Sequence, residues 1–278
     1  MKTKIIILSL TWLAIYSCKE ATSTSEVIEN NINPLLSGDI IDLTHDFSEE
    51  TIYWVTAKEF ELEEVAKGPT PQGFYYSANN FSGAEHGGTH IDAPIHFAEN
   101  RKSVNEIPLK QLIGNAIKID ISENALKDRD YLISVEDFKN WEATQNMQIP
   151  DGSIVLLETG YSKFYPDKLN YLGTDQRGPD AVKELHFPGL SPVAAQWLVD
   201  ERNINAIGLD TPSIDYGQST SFESHVILLS KNIPAFENLT NLDQLPSKDF
   251  HVIALPMKIK DGSGGPLRIV AIVQKPNN

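Results

Sequence analysis

The chain has 278 residues, of which 38 are acidic and 23 are basic, so its formal charge is −15 at pH 7. Such an acidic balance would repel phosphates, which argues against nonspecific binding of nucleic acid. A single cysteine excludes an internal disulfide and a zinc site built from four thiolates. Any bound metal must therefore be held by histidines and carboxylates.

The first 17 residues predict a signal peptide of the lipoprotein type. Lys2 and Lys4 precede an apolar run over residues 5–15, which is shorter than a bilayer span requires. Because the run ends just before Cys18, we expect cleavage before this cysteine and lipidation of its thiol. A plain secretory signal or a short uncleaved anchor is the alternative. Residues 18–34 are rich in Ser, Thr, Glu and Asn and predict a flexible tether, so we expect an exported protein that meets the membrane only through its lipid.

Residues 35–278 predict a single α/β domain, because neither an internal repeat nor a second linker interrupts them. Helix starts are predicted at Ser134 and at Ser191-Pro192, and 225–230 is interpreted as a short helix. Strands and helices that mix without regular alternation predict a mixed sheet rather than a doubly wound fold. Short apolar, β-branched runs predict six strands, which are Asp39–Leu43, Ala116–Ile121, Ser153–Leu157, Ile204–Leu209, His251–Leu255 and Leu267–Val273.

The segment His86-Gly-Gly-Thr-His-Ile-Asp-Ala-Pro-Ile-His-Phe97 carries the chemistry of the chain. Its glycines and proline argue against a helix, and on a strand the side chains of its three histidines and its aspartate would leave one face. A straight strand of ten residues would span roughly 33 Å, so the chain must bend to gather them around one ion. Two imidazoles and a carboxylate are a recurrent ligand set for Zn and also suit Mn or Fe. A polar turn with histidines bonded to backbone is the alternative interpretation.

The motif resembles the signature HxGTHxDxPxHF of the cyclase family of metal-dependent hydrolases, which includes bacterial kynurenine formamidase and isatin hydrolase. The resemblance covers roughly residues 38–273, nearly the whole domain. It implies a swivelling β/β/α fold, a homodimer or higher oligomer, and a divalent metal, Zn or Mn. Further segments that resemble the family are Tyr75–Phe97, Val104–Gly114, His186–Ser191, Gly208–Ser213 and Ala254–Pro266.

The resemblance also implies roles for single residues. His96 would donate and accept the proton, and Asp92 would bridge when two metals are bound. Trp54 is interpreted either as a wall of the substrate pocket or as a plain core aromatic, since the Pro-Gly common after it in the family is missing. The implied metal ligands are His86, His90, Asp92, His225 and Glu237.

This ligand set predicts an amidohydrolase. A bound divalent ion would lower the pKa of its water from roughly 15.7 toward about 7, so that hydroxide attacks an amide carbonyl while His96 moves the proton. Because aryl amines leave easily, we expect a small aryl or cyclic amide as substrate, isatin-like first and N-formylkynurenine second. The alternative is a metal- or ligand-binding lipoprotein of the same fold without turnover.

Other candidates are interpreted as structural. His45 would anchor the first strand, and His186 and His251 would be hydrogen-bonded or surface histidines. The turn Gly262–Gly265 lacks the Lys-Ser/Thr pair and the following helix of a phosphate loop.

Overall fold

The structure is a computed structural model that describes residues 38–274. The predicted signal peptide over residues 1–17, the tether over residues 18–34 and the predicted lipidation site at Cys18 lie outside the described residues. The strands within 38–274 are β1 (Asp39–Asp42), β2 (Glu61–Pro69), β3 (Tyr75–Ser82), β4 (His90–Asp92), β5 (Ile113–Asp120), β6 (Leu132–Ile133), β7 (Ile154–Glu158), β8 (Gly189–Leu190), β9 (Ala206–Leu209), β10 (Ala235–Glu237), β11 (Phe250–Pro256) and β12 (Gly264–Val273).

The same part of the chain contains short helices, and the predicted helix starts are confirmed. Ser134 forms a capping box with Asp137, and the Ser191 side chain accepts a hydrogen bond from the backbone N–H of Ala194. The α-helices are α1 (Leu109–Leu112), α2 (Ser122–Ala125), α3 (Val135–Gln145), α4 (Lys168–Leu172), α5 (Pro192–Glu201) and α6 (Glu223–Leu229). The 3-10 helices are Pro94–His96, Val104–Glu106, Tyr161–Phe164, Pro179–Glu184 and Leu242–Gln244.

Seven strands close into a barrel-like sheet in the order β12-β11-β5-β7-β9-β10-β4, and β4 returns to pair with β12. β1 adds to the outer edge of β12. The pairs β5–β7, β7–β9 and β9–β10 are parallel, while the pairs that involve β4, β11 and β12 are antiparallel. The predicted α/β domain with a mixed sheet is thus confirmed.

Alternation along the parallel strands divides the core into two layers. In β7, Ile154 and Leu156 pack in the cluster enclosed by the sheet, whereas Val155 and Leu157 pack in a second cluster with the helices. Phe138 of α3 and Leu198 of α5 cover that outer face. Strands that are covered on both faces consist of continuous apolar runs. This is why such strands could be predicted from the sequence.

The predicted strands are confirmed with shifts of at most a few residues at their ends, but the hairpin strands β2 and β3 and the short strands β6, β8 and β10 were not predicted. The hairpin β2–β3 is largely exposed and lacks an alternating apolar pattern, and β10 has only three residues. Within residues 38–274, no helix is both long enough and apolar enough to cross a membrane.

Candidate metal centre

Strand β4 carries the middle of the histidine-rich motif, and two neighbouring strands hold it. β10 pairs antiparallel with β4, so that Glu237 lies opposite His90. β12 pairs with the other edge of β4 and places Gly264 opposite Asp92. His90 and Asp92 are two residues apart in one strand, and their side chains therefore leave the same face. The ladder brings a carboxylate from late in the sequence to this predicted ligand pair.

The motif bends on both sides of β4. Gly88 has φ +55°, a conformation that glycine adopts readily, and Pro94 opens the 3-10 helix that ends at His96. The predicted bending is confirmed. The single strand face expected for all four side chains holds only for the two in β4, because His86 precedes the strand and His96 follows it.

The turn Gly262–Gly265 supports His86, a role that was not predicted from the sequence. The Nε2 of His86 lies 2.9 Å from Oγ of Ser263, and this hydroxyl donates to Oε2 of Glu85 at 2.6 Å. Gly264 permits the close approach, since a Cβ there would lie 2.5 Å from Cε1 of His86. Gly264 therefore allows this turn to pack against an imidazole.

The five residues predicted as metal ligands meet in one cluster, in which His86 is half-buried and the other four are buried. The Nε2 of His90 lies 3.3 Å from Oδ1 of Asp92 and 3.4 Å from Oε2 of Glu237. The Nε2 of His225, in the first turn of α6, lies 2.9 Å from Oδ2 of Asp92 and 3.2 Å from Oε1 of Glu237. The Nδ1 of His86 lies 2.6 Å from Oδ1 of Asp92.

The spacing around His90 fits a divalent cation. Tetrahedral ligands about 2.0–2.1 Å from Zn lie roughly 3.3–3.4 Å from one another, which matches the separation of His90 from its two carboxylates. His90, Asp92 and Glu237 each offer a ligand atom within 4.8 Å of the other two, and the same holds for His86, Asp92 and His96. Asp92 belongs to both sets, as a bridging carboxylate would. The donor types suit Mn as well as Zn.

Hydrogen bonds outside the cluster orient two of the imidazoles. The Nδ1 of His90 lies 2.9 Å from the carbonyl oxygen of Gly88, and the Nδ1 of His225 lies 2.5 Å from Oδ2 of Asp215. Asp215 also accepts from the backbone N–H groups of Ser224 and His225, so it holds the start of α6 as well as the ring. These bonds direct each Nε2 toward the carboxylates. Asp215 was missed, although it lies just after the predicted family segment that ends at Ser213.

Charge in the cluster is balanced by the imidazoles. Burial opposes ionisation of Asp92, but the His86 charge and hydrogen bonds from the histidines hold its pKa well below the usual value. Burial and the nearby Asp92 charge raise the pKa of Glu237. Burial by itself would lower the pKa of His90 and of His225, but hydrogen bonds to the carboxylates outweigh it and raise both values. A cation at this place would take over the neutralising role of those protons.

His96 lies beside the cluster rather than at its centre. Its ring stacks on His86 at a centroid distance of 3.7 Å and lies 6.3 Å from the ring of His225. Burial lowers the pKa of His96 to about 4, which keeps the imidazole neutral at pH 7. Its position is close enough for coordination or for proton transfer.

A cavity of about 280 Å³ opens onto the cluster, and most of its wall is apolar. Trp54 lines it, half-buried, with its ring edge-on to Phe187 at 6.5 Å and to Phe222 at 6.1 Å. Phe97 packs 4.6 Å from the ring of His225. Trp54 is thus both a wall of the cavity and part of a packed aromatic group.

The three remaining histidines lie apart from this cavity. His45 stacks on Tyr165 at 3.7 Å, and its backbone N–H donates to Thr89, which is consistent with an anchoring role near the first strand. His186 is paired with Asp130 at 2.9 Å, and His251 is half-buried in β11.

The sequence and fold place this chain in a known group of proteins. The sequence model of the family described as "Putative cyclase" matches residues 41–216. The chain belongs to this cyclase family, as its motif predicted.

Individual relatives are similar to this chain over most of its length. The isatin hydrolase of Roseibium aggregatum is 30% identical over 244 residues, which cover 85% of this chain and 87% of the relative. The kynurenine formamidase of Salinibacter ruber is 26% identical over 231 residues, which cover 83% of this chain and 96% of the relative. The crystal structure of an isatin hydrolase bound to the product analogue thioisatinate has a TM-score of 0.80 and 27% identity, and it covers 91% of this chain and 100% of that one.

Proposed function

We propose that this chain, a metal-dependent hydrolase of carbon–nitrogen bonds other than peptide bonds, cleaves a small aryl or cyclic amide such as isatin. The observation that carries the proposal is the convergence of three imidazoles and two carboxylates at the end of an apolar cavity. The predicted hydrolase class agrees with the isatin hydrolase and kynurenine formamidase among its relatives. N-formylkynurenine is the second candidate substrate.

The ligands in this proposal are the five clustered residues, with Zn or Mn as the ion. When bound, the cation would activate a water and polarise the amide carbonyl. The protein contributes a fixed donor set, because Asp215 and the carbonyl of Gly88 hold the rings of His225 and His90 in place. The surrounding burial excludes bulk water, since His90, Asp92 and Glu237 are at most 3% exposed.

His96 is assigned the proton transfer. Its ring reaches the cluster from the cavity side, stacked on His86, and it lines the cavity that a substrate would enter. An imidazole there can accept the proton of the attacking water and return it to the amide nitrogen as the carbon–nitrogen bond breaks. Trp54 and its aromatic neighbours would hold the aryl group of the substrate against the cavity wall.

The test is hydrolysis of isatin and N-formylkynurenine by purified protein loaded with Zn or Mn, next to the variant His96→Ala. We expect turnover by the wild type, retention of metal by the variant, and a loss of roughly 10²–10⁴ in kcat. His186→Ala, which changes a histidine outside the cavity, is the matched control and should keep full activity. Tight metal binding without turnover on a broad panel of amides would favour the noncatalytic metal- or ligand-binding alternative.

We also propose that the protein is an exported lipoprotein anchored through Cys18. The short apolar run and the position of the one cysteine support this assignment. Mass spectrometry of the protein from a membrane fraction should find a lipid on Cys18, and Cys18→Ser should release the protein from that fraction. An unmodified Cys18, or one removed with a longer signal peptide, would refute it.

Finally, we propose that the protein is a homo-oligomer. The hairpin β2–β3 supports this, because its strands pair only with each other among the described residues and it exposes large apolar side chains. Leu62 lies opposite Phe81, and Tyr75 follows on the same face; these side chains are 58%, 58% and 65% exposed. Sedimentation analysis measures the state directly.

A further inference from the structure

Phe222 has a backbone conformation that is costly for an aromatic residue. Its φ and ψ are 49° and 42°, which is the left-handed region. Eight non-glycine residues within 38–274 have positive φ, and seven of them are Asn or Asp, which tolerate it. Phe222 is the exception in this set. Such strain is retained only where the surroundings enforce it, and it concentrates at functional sites.

Neighbouring groups on both sides hold Phe222 in this conformation. Its backbone N–H donates to Oγ of Ser219 at 3.1 Å, and its carbonyl accepts from the backbone N–H of Val226 in α6 at 3.0 Å. Ser219 is tied to Asp215, the residue that also holds His225. The strained residue is therefore built into the same support as one of the proposed metal ligands.

The strain directs the Phe222 ring into the cavity. The ring lies 6.1 Å from Trp54, 5.3 Å from Phe97 and 6.2 Å from His225, and it is half-buried. Three aromatic rings thus meet on the cavity side of the proposed centre. Flat faces and edges of this kind favour an aromatic ligand over an aliphatic one of similar polarity.

We propose that Phe222 is a specificity-determining residue that selects aryl substrates, and that its backbone strain is kept because it presents the ring to them. This inference rests on the proposed function and adds a selectivity element to it. A relaxed backbone at this position would turn the ring away and leave the metal centre intact. A substitution that relieves the backbone strain at Phe222 should therefore also reduce the selectivity for aryl ligands.

The test compares two carboxylate ligands by calorimetry with the Zn-loaded protein. Isatinate and pyruvate are both α-keto acids, and only isatinate carries an aryl ring. For Phe222→Gly, we expect isatinate to bind roughly tenfold more weakly, pyruvate to change by less than about threefold, and the melting temperature to stay the same or rise. Phe222→Leu keeps the strained backbone without the aromatic face and should also lose isatinate affinity.

Asn146→Gly is the control, because Asn146 has φ 51° at the exposed end of α3, outside the cavity. It should leave both affinities unchanged. Unaltered isatinate binding by Phe222→Gly would overturn the inference while leaving the hydrolase proposal standing. A wild type that hydrolyses neither aryl amide and binds isatinate no better than pyruvate would overturn both. The metal content of each variant shows whether a loss of isatinate affinity results from a loss of metal.

Discussion

The metal centre and the hairpin β2–β3 are both exceptions to the usual distribution of polar and apolar side chains, but in opposite ways. The centre buries charged and polar groups almost completely, whereas the hairpin exposes large apolar side chains. Buried polar groups and exposed apolar patches are the informative cases, because each is unfavourable unless something pairs with it. In the centre the groups pair with one another and fit a cation, while the apolar side chains of the hairpin stay exposed among the described residues.

The two regions also differ in how they are assembled. The hairpin is local, since its strands are joined by a short turn. The centre needs β4, β10 and α6 together, and its contact between His225 and Asp92 joins residues 133 positions apart. The following predictions test this contrast, beginning with the largest expected effect.

Removing a central ligand should abolish function. Asp92→Asn keeps the size of the side chain but removes the charge shared by both candidate ligand sets. We expect loss of tightly bound metal and a decrease in kcat/KM of at least about 10³. Metal analysis and isatin hydrolysis measure the change, and circular dichroism checks the fold. Full metal occupancy in this variant would contradict the proposed centre.

Weakening the support of one ligand should have a smaller effect. In Asp215→Asn, the hydrogen-bond partner of His225 loses its charge, so metal affinity should fall roughly 10–100-fold. Calorimetric titration of Zn measures it. Asp137→Asn is the matched control, because Asp137 also caps a helix start but lies in α3. Equal metal affinities for the two variants would show that Asp215 acts only as a cap.

Changes in the hairpin should leave the centre unaffected. The double variant Leu62→Ser and Phe81→Ser removes an exposed apolar cross-strand pair. We expect subunit dissociation to become easier by about tenfold or more, since each buried apolar side chain contributes about 1.5–3 kcal/mol. Sedimentation measures the association, and metal content should not change. An oligomer that is insensitive to this variant must use another surface.

The smallest effect concerns pH and His45. Burial lowers the pKa of His45 to about 4, below its ordinary value of 6.5, so the unfolded chain takes up the proton first as pH falls through this range. The stabilising effect of neutral His45 is therefore lost between about pH 6.5 and 4. Relative to His45→Gln, the wild type should lose about 1–2 kcal/mol of unfolding free energy over this window. Urea denaturation at pH 6.5 and at pH 4 measures the unfolding free energy of the two proteins. The same difference between them at both pH values would refute this.

The sequence predicted the elements whose signals are local. Continuous apolar runs marked β7 and β9, and a capping box marked α3, because burial on both faces and helix capping leave short-range patterns. The motif at residues 86–97 indicated ligands by residue type and spacing. The hairpin was missed because exposed strands lack that periodicity.

By itself, then, the sequence determined the chemistry available to this protein: a histidine-rich bend, a mixed α/β domain and membership of the cyclase family. Resemblance pointed to His225 and Glu237, but only the tertiary structure decided that they meet His90 and Asp92. Only it brought Asp215, Ser263 and Phe222 to the site. The physical reason is that these contacts depend on the register of β4 with β10 and on closure of the sheet by β12. Neither leaves a periodic signal in the local sequence.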